Sequence, residues 1–184
     1  MLSVVIATQD SERALLPTLA ALVPGAAAGL VRDVVVADGG SRDATLEVAN
    51  VAGCRVLSSK ARRGVRLKDA AGAARGCWLL FLRPGIVPDT AWVGETRRFI
   101  EEAEIDGHAQ SRAAMLRPAP ATSRPRLSEA FAALFAALRA TDHGDHGLLI
   151  AKVLYAALGG HRDVEEPERD LVRRLGRRRI ALLR

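Results

Sequence analysis

Aromatic residues are scarce. The 184-residue chain has four Phe, two Trp and one Tyr, so its core must be aliphatic, and it lacks the stacking side chains that hold single-stranded nucleic acid. Cysteine is scarcer still: Cys54 and Cys77 stand alone, with neither CxxC spacing nor a neighbouring His. That excludes a disulfide framework or zinc ribbon and leaves two buried thiols in a reducing compartment as the expectation. Long hydrophobic runs are missing too, none approaching the ~20 residues needed to cross a bilayer. Met1 leads into LSVVIAT with no charged leader or cleavage site, so no secretory signal is read and a cytoplasmic protein is expected. No repeat and no low-complexity tract is visible.

The glycines are absent from the places where common nucleotide folds need them. After the first strand-like run the chain reads ATQDSERA rather than GxGxxG, which removes the close backbone approach a bound NAD or FAD pyrophosphate requires. There is no GxxxxGK[ST] loop either.

What is present is aliphatic and basic. Apolar residues make up 49%, and Lys plus Arg outnumber Asp plus Glu by 27 to 21, giving a net charge of +6. Residues 169–184 hold seven arginines against the single acid Asp170. Such a surplus fits either a solvated basic helix or an anionic partner, namely a phosphate-bearing ligand or a membrane surface. Nucleic acid is not expected, because no recognition motif accompanies the charge.

Short aliphatic runs alternate with longer stretches of helical periodicity, the pattern of an α/β domain with a mostly parallel central sheet flanked by helices. Strands are expected at 2–8, 33–38, 54–58 and 77–82. Between them lie a helix that Ser11 can cap, with Pro17 kinking it or marking its first turn, a helix capped by Asp43, and a helix over 64–75. Further on come a helix over 89–104, an extended segment at 108–116, a Pro-rich connector at 118–126 and an apolar-faced helix over 127–140. A short strand and helix then precede an acidic loop at 164–170 and a final basic helix and strand. The length suits one domain.

The segment VVVADGGSRDAT, from Val34, is the most informative. A strand ending in Asp38, followed by Gly39, Gly40, Ser41 and the capping Asp43, sets a carboxylate at the sheet's carboxyl edge beside a tight turn. With SVVIAT from Ser3, ARRGVRLKDAAGAARGCWLLFL from Ala61, the DHG at Asp145, ALGGHRD from Ala157 and PERDLVRRL from Pro167, it resembles the family 2 glycosyltransferases of the GT-A fold. The corresponding family stretches are SVVIPT, RGRGxQxNxGxxxAxGDWLLFL, GDQG, ALGGF and EDVELSRRL.

The resemblance implies a GT-A-like domain whose residues 1–105 form a nucleotide-sugar-binding half and whose residues 106–184 face the acceptor. By position, Thr8, Asp10, Asp38 and Arg63 are implied to hold the nucleotide sugar, Asp145 and His146 to lie on the acceptor side, and Glu168 to be the base of an inverting transfer, with Glu165, Glu166 and Asp170 close enough to compete for that role and an acidic helix start as the plain alternative. Two positions depart: Arg66 and Lys68 replace the family's Gln and Asn. A third departure is larger. The family ends its fourth strand in Asp-x-Asp or His-Ala-Asp, whose last carboxylate holds a divalent ion; here Arg83-Pro84-Gly85 stands instead. Gly85 offers no ligand, so no metal and no other cofactor is expected.

Either Arg83 supplies the missing positive charge, as a catalytic electrostatic group, or Pro84-Gly85 is a plain type II turn on a decayed motif. The corresponding functions are a glycosyltransferase with a nucleotide-sugar donor and a non-catalytic nucleotide-binding relative. The HGDH stretch around Asp145 is read as an acceptor loop rather than a metal site. For the 127–140 helix two readings stand: packing on the sheet, or peripheral contact with an anionic membrane carrying a lipid-linked acceptor. Donor sugar, acceptor and oligomeric state are not encoded legibly.

Overall fold

The computed structural model describes residues 1–116 and 147–183. At its centre runs β1 (Leu2–Thr8), buried at every residue. A strand covered on both faces has no solvent side, which is why LSVVIAT is apolar without alternation. β2 (Val31–Asp38) pairs parallel to it on one side, ending with Thr8 opposite Asp38. β4 (Trp78–Leu82) pairs parallel on the other, from Leu2 opposite Trp78 to Ile6 opposite Leu82. β3 (Arg55–Ser58) lies outside β2. With β5 (Ala113–Leu116), β6 (Gly147–Ala151) and β7 (Ile180–Leu182) these form one sheet in the order β3-β2-β1-β4-β6-β5-β7, in which β6 runs antiparallel to both neighbours.

The helices are α1 (Glu12–Ala27), α2 (Thr45–Val51), α3 (Arg63–Ala73), α4 (Trp92–Ile105), α5 (Lys152–Ala157) and α6 (Pro167–Leu175). Crossovers between parallel strands are right-handed, so α1 and α2, which step outward from β1 to β3, share one face. The return from β3 to β4 steps the other way and puts α3 on the opposite face. That reversal opens a crevice between the carboxyl ends of β1 and β4, the place where open α/β sheets bind ligands.

Both prolines of α1 lie inside the helix, which neither ends nor restarts at Pro17. An internal proline lacks the N–H that would meet the carbonyl four residues back. Three residues before Pro17, Ala14 O accepts from Gly85 N at 2.8 Å. Three residues before Pro24, Ala21 O accepts from Trp92 Nε1 at 3.1 Å. These two bonds tie α1 to the end of β4 and to α4.

Three expectations need correction. Residues 108–116 are not extended throughout: His108–Gln110 is a 3-10 turn, because Ser111 N and Arg112 N both return to His108 O, and only then does β5 begin. Cys77 is exposed, one residue ahead of β4, and Cys54 is half-buried. Burial pushes the Cys54 thiol up to about 11, so it is inert at neutral pH. The connector at 118–126, the helix at 127–140 and the loop at 141–146 lie outside the described residues. No helix among the described residues is long and apolar enough to cross a membrane.

Candidate functional site

The turns after β1 and β2 are built as one unit. Asp38, fully buried, accepts from Thr8 Oγ1 at 3.0 Å, from Gly40 N at 2.7 Å, from Ser41 N at 2.9 Å and from Ser41 Oγ. Burial pushes its carboxyl up, but the bonds from Ser41, Gly40 and Thr8 together outweigh burial and hold it below the usual range. Asp38 is thereby spent on shaping the turn, beneath the cleft rather than in its wall. Asp10 takes the left-handed conformation at φ +46°, which aspartate tolerates. Its Oδ1 accepts from Arg42 N at 2.7 Å, and its own N–H donates to Ser41 Oγ at 2.9 Å.

Ser11 stands at the N-cap of α1, as expected, yet its hydroxyl donates back to Gln9 O. Asp43 does the capping instead: its Oδ2 accepts from Glu12 N in α1 and its Oδ1 from Thr45 N in α2, each at 3.0 Å.

Arg66 is buried and joins the two strand ends from below, its Nη1 donating to Thr8 O and Ala37 O, each at 2.8 Å. The helix that carries it, α3, begins at the cleft with Arg63 and has no side-chain cap. The start of α3 is pressed against the loop before α6: a Cβ at Gly64 would lie 1.9 Å from Arg162 O, so this approach requires glycine.

The end of β4 is a type II turn. Ile86 N donates to Arg83 O at 3.1 Å, Pro84 takes the second position, and Gly85 takes the third at φ +93°. Gly85 N also donates to Thr18 Oγ1 at 2.9 Å, so the turn is fastened to α1. A Cβ at Gly85 would point at Ala14 Cβ, 3.9 Å away, toward α1. The residues present do not fit a divalent ion here: the position to which the resemblance assigns the ligand is a glycine turned toward a helix, a neighbouring side chain is a cation, and no cluster of three His, Cys, Asp or Glu is found among the described residues.

Arg83 turns instead to Glu168 of α6. Its Nε lies 3.5 Å from Glu168 Oε1, the same oxygen that Arg63 grips through Nη2. Burial lowers the Arg63 pKa, as do Arg83 and Arg66, with Glu168 opposing them. Three buried polar atoms of this trio, Arg63 Nε, Arg83 Nε and Glu168 Oε2, have no hydrogen-bond partner. Glu168 sits in the first turn of α6, and Arg174 of the same helix ties it to the segment before it, donating to Asp170 Oδ2 at 2.8 Å, to Gly160 O at 2.7 Å and to Leu158 O.

Together these elements wall a cleft of about 960 Å³ at the carboxyl ends of β1 and β4. Five cations, Lys60, Arg62, Arg63, Arg66 and Arg83, line it against the acids Asp10 and Glu165. Of the residues named from the sequence, Thr8, Asp10, Arg63 and Arg83 are in the wall. Asp38 lies beneath it and Glu168 behind two of its arginines. Asp145 and His146 are outside the described residues. Lys60, Arg62 and Arg66 were not singled out as cleft residues; the signal was the KARRGVR run, four cations gathered at one helix start.

No family model and no curated relative matches the chain. Solved structures do. S. aureus TarS, residues 1–349, superposes with a TM-score of 0.69 at 17% identity, covering 99% of this chain and 57% of TarS. Its complex with UDP-GlcNAc gives 0.68 at the same identity. Glucosyl-3-phosphoglycerate synthase from Mycobacterium tuberculosis, with phosphoglyceric acid, gives 0.65 at 22% identity, covering 99% of this chain and 69% of the synthase. The chain thus spans little more than half of one neighbour's length. These neighbours are family 2 glycosyltransferases of the GT-A fold, and the fold of this chain is GT-A-like.

Proposed function

We propose that this chain binds a nucleoside diphosphate sugar in the crevice between β1 and β4 and transfers the sugar, with inversion, to an acceptor hydroxyl. One observation carries the reading: five cations converge on the crevice at the topological switch point, with the uncapped start of α3 among them. Guanidinium groups and a helix N-terminus are the chemistry that receives a diphosphate. TarS is described in complex with UDP and with UDP-GlcNAc, and the synthase with UDP and Mn²⁺, which supports a uridine nucleotide as the first ligand to try.

In this reading the base and ribose lie along Thr8, Gln9 and Asp10, on the turn that Asp38 shapes, and the diphosphate reaches Arg63 and Arg83. The acceptor oxygen attacks the anomeric carbon as the bond to the phosphate oxygen breaks. The leaving electron pair goes to the diphosphate, where Arg83 stabilises the developing charge, and the hydroxyl proton goes to Glu168. Residues 106–184 would face the acceptor.

A second reading keeps the pocket without the reaction. It is favoured by the two guanidinium groups on Glu168 Oε1, which leave only Oε2 to act as base.

A thermal-shift and calorimetric panel of UDP and UDP-sugars in EDTA tests the site, because a ligand of the native state alone raises the melting temperature. Transfer or slow donor hydrolysis then separates the readings. An enzyme loses about 10²-fold in kcat on Arg83→Ala and all transfer on Glu168→Gln, whereas a binding module shows no turnover to lose. If no nucleotide shifts the melting temperature at millimolar concentration, both readings fail.

A further inference from the structure

The Arg63–Glu168–Arg83 contact is a poor ion pair for its position. Arg63 opens α3, Arg83 closes β4 and Glu168 belongs to α6, so three elements are drawn to one carboxylate oxygen. That oxygen receives both guanidinium groups, while the other is buried without a hydrogen bond; Arg63 keeps a buried Nε with none, and Arg83 Nε reaches Oε1 only at 3.5 Å, outside hydrogen-bond geometry. Buried polar atoms left unpaired are costly. The arrangement persists because two guanidinium groups side by side need an anion between them. Glu168 is that anion, and an imperfect one.

A diphosphate offers more oxygens and more charge to the same two arginines. Building on the function proposed above, we propose that Glu168 is an internal counter-anion: it occupies Arg63 and Arg83 in the free protein and is exchanged for the ligand's phosphates on binding. The exchange gives both Nε groups hydrogen-bond acceptors and releases the carboxylate. An acid 15% exposed and held by two cations becomes a free one only when the donor is seated. Donor binding would then precede, and create, the base that an acceptor hydroxyl needs. It also sets a threshold for ligands. A monophosphate, which brings fewer oxygens and less charge to the two arginines, displaces Glu168 less effectively than a diphosphate does.

Isothermal titration of inorganic pyrophosphate, inorganic phosphate and UDP, in EDTA, into the wild-type chain and Glu168→Gln tests this. Removing the competing charge should tighten pyrophosphate and UDP alike by roughly tenfold, the scale of one hydrogen-bonded charge, and phosphate by less. Arg63→Ala should weaken both diphosphates. Where Glu168→Gln does not fold, Glu168→Asp, one methylene shorter, carries the same sign at smaller size. If the wild type binds pyrophosphate and Glu168→Gln binds it no tighter, Glu168 does not compete for the arginines and the proposal falls. Tightening of UDP without pyrophosphate would place Glu168 against the nucleoside and also overturn it. A wild type that binds neither diphosphate removes the site itself, a separate failure.

Discussion

His161 is 2% exposed and packs edge-on against Phe81, 4.7 Å between ring centres. The Tyr155 hydroxyl accepts from His161 N at 3.0 Å and is hydrogen-bonded to Nδ1, 2.9 Å away. The other ring nitrogen, Nε2, is buried with no hydrogen-bond partner. Burial, reinforced by Arg174 and Arg63 and opposed by Asp170, pushes the imidazole down to about 3. An unfolded histidine takes a proton near pH 6.5, whereas the folded one stays neutral until about 3. The unfolded state therefore binds more protons in that window, and stability must fall as pH drops from about 6.5 toward 3. Asp38 acts in the same direction only below about pH 3.9, since its folded pKa is lowered. The interval from pH 6.5 to 4 thus isolates His161. We expect urea denaturation of the wild type to lose up to about 1.4 kcal/mol per pH unit there, and His161→Phe, which keeps a ring in the cluster, to lose much less. Equal slopes would mean that the imidazole titrates normally in the fold.

At the scale of elements, the start of α3 and the loop before α6 are positioned by a backbone-to-backbone approach. Gly64→Ala should cost about 1–3 kcal/mol or more, because its Cβ would meet Arg162 O, which cannot swing aside as a side chain can. The same displacement moves Arg63 away from Glu168 and Arg83, so UDP affinity should fall along with the melting temperature. Unchanged values of both would show that the loop shifts freely. The strands were legible because buried parallel strands leave continuous apolar runs, and β1, β2 and β4 fall within two residues of where LSVVIAT, DVVVAD and CWLLFL place them. The helix starts were less so: Ser11 has a capping residue's chemistry and a capping residue's place, yet Asp43, from another turn, supplies the bond. The site divides the same way. Arg83 and Arg63 could be picked out by position, but that both meet Glu168 depends on α3, β4 and α6 converging, and that Arg66 stitches two strand ends depends on register. Neither is a local property of the chain.

For the whole molecule, charge decides the chemistry. The chain carries +6, and at the crevice that surplus is built from side chains on several elements. Positive charge fixed in this way is present before the ligand arrives and needs no second binding event, but it is screened by salt where it meets solvent. UDP affinity should therefore fall steadily as salt rises from 50 to 500 mM. It should also change less than twofold between EDTA and saturating Mn²⁺, because neither Arg83 nor Gly85 can ligate the ion. Restoring the acid alone should not restore an ion site. Gly85→Asp must hold a side chain at φ +93° and aim it at Ala14 of α1, so it should cost about 1–2 kcal/mol in stability and leave the Mn²⁺ response flat. The measurement is a set of UDP titrations on both proteins with and without Mn²⁺. A wild type that binds UDP tenfold tighter with Mn²⁺ would mean that acids elsewhere in the chain hold the metal, and that the arginines assist an ion rather than replace it.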